Sequence, residues 1–172
     1  MDWDDENLAA TAPVVAGASA FIEAIWVQHS LATAWPHVDP LLRTCWAQSW
    51  LTPLLPQAQQ DGYHPDEVVD QLTLDEPAHS LWEPFARTQV DALCGSFKVS
   101  PQTWGFASDR RLIAPDIELL RYLPVPATGA IQADEQYAYM PFLMRYSAPF
   151  GWRVLNFVSE HFPQTGWPPK LA

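Results

Sequence analysis

From Pro13 to Trp35 the residues Val14, Ala18, Phe21, Ile22, Ile25, Trp26, His29, Ala32 and Trp35 recur at three- and four-residue steps. That spacing lays them along one side of an amphipathic helix of about six turns. Pro36 ends it, because proline has no N–H to offer and turns the residue before it away from helical backbone. A second helix starts at once: Asp39 suits the N-cap and Pro40 the first helical position. Leu42, Cys45, Trp46, Ser49 and Trp50 form its stripe, and Pro53 and Pro56 close it. Residues 57–64 are polar and turn-like, and Pro65-Asp66-Glu67 opens a short helix to about Leu72. Its acids stand where the helix dipole favours them. Asp75-Glu76-Pro77 repeats the start signal, and Leu81, Trp82, Phe85, Ala86, Gln89, Val90, Leu93 and Phe97 keep helical spacing after it. Pro84 falls inside that stretch, so either a kink or a turn followed by a fresh helix start is expected.

The period changes beyond Pro101. Trp104 to Ala107 reads as a short strand, and Arg111 to Leu123 as a long one with Pro115 at a bulge or edge position. Val125 to Asp134 reads as a loop. Tyr137 to Ser147 and Trp152 to Glu160 are β-rich runs joined by Ala148-Pro149-Phe150-Gly151, a hairpin signal. A four-residue turn there sets Ser147 opposite Trp152. One face then carries Met140, Phe142, Met144, Leu155 and Phe157; the other carries Tyr139, Pro141, Leu143, Arg145, Trp152, Val154, Asn156 and Val158. Both faces are largely apolar, whereas a sheet with one solvated face alternates. Helices can cover one face. A second copy of the chain is the expected cover for the other, giving a homodimer through the β-sheet.

The fold class is therefore α+β, with N-terminal helices packed on an antiparallel β-sheet in a single domain over residues 13–161. Residues 1–12 are acidic and small and read as a flexible tail, and 162–172, rich in proline, as an extended one. The helix order, followed by a sheet whose last strand begins Gly151-Trp152-Arg153-Val154, resembles the nuclear transport factor two-like fold. That is the cone-shaped, cystatin-like α+β superfamily that includes polyketide-cyclase-like proteins, scytalone dehydratase and ketosteroid isomerase. The resemblance implies a curved sheet, a pocket between it and the helices, and dimers formed through the sheet. It does not imply one activity, because the superfamily includes both enzymes and binding proteins.

Composition narrows the partners. Lys and Arg number 9 against 20 Asp and Glu, for a formal charge of −11, so no basic footprint for nucleic acid or anionic membrane exists. No apolar run reaches the roughly 18 residues of a membrane span, and the acidic start lacks the basic region of a signal peptide. A cytoplasmic setting with free thiols at Cys45 and Cys94 is expected. No metal-ligand spacing and no Gly-rich phosphate loop occur, so neither metal nor cofactor is expected.

Candidate chemistry is sparse. His37 and Asp39 flank the break between the first two helices, and enzymes of the resembled superfamily place His or Asp bases in the pocket; the alternative is a surface histidine and a helix cap. Asp116 and Glu118, two apart on one strand, suit an acid–base pair or charged edge residues. Tyr139, Arg145, Trp152 and Asn156 share the mixed hairpin face, as ligand-orienting or interface residues. His79 reads as a capping or exposed residue and His29 as a core histidine. Two functions follow: a dimeric module that binds a small apolar ligand or a partner protein, or a cofactor-independent lyase or isomerase with acid–base residues in the pocket.

Overall fold

The computed structural model describes residues 3–107, 110–125 and 138–172. Helix α1 spans Trp3–Ile22, so helical backbone takes in most of the segment expected to be a loose tail. The long first helix does not continue to Pro36. It widens over Glu23–Val27, where Gln28 N bonds Glu23 O at 3.0 Å, and breaks at His29, whose φ is +51°. Ser30 then caps a fresh short helix, α2 (Leu31–Ala34), by accepting from Thr33 N at 3.1 Å. A tight turn, Trp35–His37, leads to α3 (Pro40–Leu51), with Asp39 capping and Pro40 in the first turn as expected. Helices α4 (Leu55–Gln60) and α5 (Pro65–Leu72) follow.

Asp75-Glu76-Pro77 opens no helix. Helix α6 spans Trp82–Ser96, with Pro84 in its first turn, where a missing N–H costs nothing. Of the two outcomes expected for Pro84, the fresh start is the one realised. His79 Nδ1 accepts from Leu81 N at 3.1 Å, which holds the turn ahead of it.

Among the described residues five strands form one open antiparallel sheet on which these helices pack, the α+β arrangement expected. They are β1 (Trp104–Phe106), β2 (Arg111–Ala114), β3 (Ile117–Pro124), β4 (Met140–Ser147) and β5 (Gly151–Phe157). β1 and β2 share one edge of β3, β4 takes the other, and β5 lies outside β4. Two expectations are corrected here. Arg111 to Leu123 is not one strand: Pro115-Asp116 is the turn of a hairpin in which Ala114 faces Ile117. Proline fits that turn because its φ is preset and it has no donor to give a ladder. The β4–β5 loop is three residues long, so Ser147 faces Gly151 and Tyr146 faces Trp152. Gly151 adopts φ +80°, a conformation glycine reaches without strain.

The three-residue loop moves Trp152, Val154 and Leu155 to the faces opposite those expected, and a register shift between Leu143/Asn156 and Met144/Val154 returns Asn156 and Phe157 to theirs. Val154 joins Phe142, Met144 and Phe157 under the helices, and Leu155 joins Leu143, Ile117 and Leu119 on the far side. Phe157 sits at the centre of the main core, with ring centroids 5.7 Å from Phe21, 6.2 Å from Trp46, 5.8 Å from Phe97 and 5.8 Å from Phe142. Leu41 and Ala114 pack on the far-side cluster. The expected extended tail is instead a closed loop. Gln164 and Lys170 exchange backbone hydrogen bonds at 2.8 and 2.9 Å, and Gly166 N donates to Gln48 Oε1 at 3.0 Å.

Candidate functional site

Two regions gather the chemistry, one at each end of β5. The first lies where the break between α2 and α3 meets the β4–β5 hairpin. Val38 bridges to Val154, and Asp39 N donates to Val154 O at 2.9 Å, which fastens the helix start to the sheet edge. Asp39 is buried and does two jobs. Its Oδ1 accepts from Leu41 N at 2.9 Å as a cap, and its carboxylate takes both arms of the Arg145 guanidinium, with Nε at 2.8 Å from Oδ2. Of the residues singled out in the sequence, Asp39 and Arg145 are thus brought into direct contact.

Behind them stands Arg43, which is 1% exposed. Its Nε donates to Val38 O at 3.1 Å, Nη2 to Trp35 O at 2.7 Å, and Nη1 to Thr73 O at 3.2 Å and Asp75 Oδ1 at 2.7 Å. The guanidinium also lies 5.0 Å from the centroid of the Trp35 ring. Arg43 therefore ties the α2–α3 break to the loop after α5. Asp75 serves this bond and starts no helix. Arg153 comes from β5 directly opposite Arg145. It is buried, rests 4.0 Å from the Phe150 ring centroid, and among the described residues comes no nearer to a carboxylate than Asp75 Oδ1 at 3.9 Å. Burial, with repulsion from Arg43, lowers its pKa from the ordinary value against the pull of Asp75 and Asp39. His37 is half-buried nearby. Burial, helped by the charge of Arg153, lowers its pKa below 6.5, so the ring is neutral at neutral pH.

Sequence reasoning missed Arg43, Asp75 and Arg153. One signal was available for Arg43. Arg43 is the one charged residue of α3 and stands three residues before Trp46, so it borders the apolar stripe.

The second region is a cleft of about 340 Å³ between α3, α6, β5 and the closing tail. Trp46, Leu93, Phe97 and Phe157 form its apolar wall; Ser49, Gln89, Asn156 and Ser159 supply neutral polar groups. No ionisable side chain of the described residues lines it. Both Asn156 donors are engaged: its Nδ2 donates to His161 O at 2.8 Å and Leu171 O at 2.9 Å, while its Oδ1 accepts from Phe157 N at 2.9 Å and keeps a second lone pair. It holds the tail over the cleft.

The remaining expected site residues lie apart. Asp116 is in the β2–β3 turn, and Glu118 is on β3, buried and 3.4 Å from Arg110, so they are not one pair on one strand. Trp152 is paired with Tyr146, ring to ring at 5.6 Å, and packs with the main core rather than beside Arg145. Tyr139 is exposed and donates to Glu160 at 2.7 Å, a bond that favours its neutral phenol and raises its pKa. Cys94 lies 3.6 Å from His29 Nδ1 beside a second cleft of about 380 Å³ that Glu83, Arg87 and Asp91 help to line. Burial and the charge of Asp91, against the pull of Lys98, raise its pKa, which holds the sulfur as a thiol. Burial pushes the Cys45 thiol up to about 11.

Among the described residues no group of three or more His, Cys, Asp or Glu is arranged for a metal ion, and no helix is long and apolar enough to cross a membrane. Comparison with known proteins returns no match: no family model, no curated protein and no solved structure resembles the chain.

Proposed function

We propose that this protein is a binding module that holds a small apolar ligand in the cleft between α3, α6 and β5. The observation that carries the reading is the cleft's lining. Aromatic and aliphatic walls with a few neutral polar groups are the usual make-up of a small-molecule site, and a volume of about 340 Å³ falls at the small end of the range. A lyase or isomerase needs a titratable group aimed at its substrate. The acid–base candidates His37, Asp39, Asp116 and Glu118 do not line this cleft, and Asp39 already serves as a cap and the partner of Arg145. That arrangement supports binding over catalysis.

The proposal includes association of two copies through the sheet. Its support is the outer edge of β2, which has no strand partner among the described residues and presents Leu112 and Ile113 to solvent. The far sheet face supplies less support than expected, since Ile117, Leu119, Leu143 and Leu155 are buried within a single chain.

The ligand reading is tested with N-phenyl-1-naphthylamine, a neutral apolar fluorophore. Saturable binding is expected. The substitution Ala92→Trp, which places a large ring at an exposed position of the cleft rim, should weaken it by about tenfold or more without lowering the melting temperature. No saturable binding, or equal binding by the folded variant, removes the cleft as the site.

A further inference from the structure

The geometry around Arg153 points to a second site, at the opposite end of β5, that takes a carboxylate. In the seam between helices and hairpin every other charge is matched. Asp39 takes both arms of Arg145, and Asp75 Oδ1 takes Arg43 at 2.7 Å while three backbone carbonyls accept from the rest of the Arg43 guanidinium. Arg153 alone of these three arginines makes no hydrogen bond among the described residues. Its side chain is 5% exposed, and its Nε is buried without a partner.

A cation removed from water is stable only when paired and hydrogen-bonded, and the Phe150 ring 4.0 Å away compensates its charge without accepting from its N–H groups. The chain holds 20 acids against 9 bases, so an arginine left one carboxylate short is not for want of acids to pair with it. The missing partner has a definite shape. Nε and one terminal nitrogen form a planar fork of parallel donors, which two oxygens of a carboxylate match and a spherical halide does not. Two groups beside the buried fork reach the surface of the seam: Phe150 is 57% exposed and the Asp75 side chain 61% exposed. Asp75, at 3.9 Å, is the internal competitor for the incoming anion.

The Nε–H resonance of Arg153, followed by proton–nitrogen correlation spectroscopy during titration with sodium acetate, tests the assignment. Arg153→Lys identifies the peak. The expected result is a saturating shift with a dissociation constant in the millimolar range, as suits a two-atom contact. Sodium chloride at equal ionic strength should produce no such shift. Asp75→Asn removes the carboxylate 3.9 Å from Arg153 and with it the 2.7 Å partner of Arg43, so the response is read only at the Arg153 Nε–H peak, where acetate binding should tighten by about threefold or more. If Arg153→Lys fails to fold, Phe150→Leu identifies the same peak, because it removes the aromatic ring that lies 4.0 Å from the guanidinium. No saturating shift in the natural protein and in Asp75→Asn overturns the site. An equal response to chloride reduces it to general screening, and tighter binding of inorganic phosphate than of acetate overturns the carboxylate assignment.

Discussion

At the level of single residues, the α2–α3 break is organised by groups that each have more than one task. Asp39 was legible as a cap because Asp-Pro before an apolar stripe has few other readings. Its bond to Arg145 was not, because the two are 106 residues apart and nothing local marks the pairing. His37 was legible as a histidine at a break, but its environment was not, since Arg153 reaches it from the last strand. That environment fixes a sign. The folded protein disfavours charged His37 through burial and the positive charge of Arg153, so its folded pKa lies below the unfolded value of 6.5. As pH falls through 6.5 the unfolded chain binds the proton first, and stability that is complete above that pH is lost on the way down. Between about pH 7.5 and about 5.5 the melting temperature should fall, and His37→Gln should show a smaller fall. An equal or greater fall in the variant removes His37 from the effect.

Elements were legible where proline marked them and obscure where tertiary contact decided. The starts of α3 and α5 carry Pro40 and Pro65, and both lie where the sequence places them. No glycine or proline marks the break at His29, so an unbroken stripe concealed it. Pro115 signalled an interruption but could not say whether the chain bulges or reverses; pairing with β3 decides that. The β4–β5 register depended on the loop being three residues rather than four, which local composition does not reveal. One contact between elements is close enough to test. In α1, a Cβ added at Gly17 would stand 2.7 Å from the backbone oxygen of Trp152 in β5. Backbone on both sides leaves nothing flexible to yield. Gly17→Ala should therefore lower stability by about 1–2 kcal/mol, the overpacking cost outweighing the gain in helix propensity. Urea denaturation measures it; an unchanged or raised midpoint shows that α1 moves freely against the sheet.

For the whole molecule, the α+β layering was readable because helical period gives way once to strand period, near Pro101. The cleft could not be read, since it is a space between α3, α6 and β5 that no one segment encodes. Sedimentation at about tens of micromolar should show a dimer, as an interface of ordinary size gives. Ile113→Lys, placing a charge on the outer strand, should shift it to monomer. A monomeric natural protein at that concentration removes the proposed association. The place of Phe157 at the centre of the core has one more consequence, in the order of events during synthesis. Phe21 is made early and meets its partner only when residue 157 has been added, and α1 packs against the last strand more than against any other. Contacts so distant in sequence close slowly. On the ribosome the stripe of α1 therefore waits, uncovered, until nearly the whole domain has emerged, and that interval is when the nascent chain most needs protection from its neighbours.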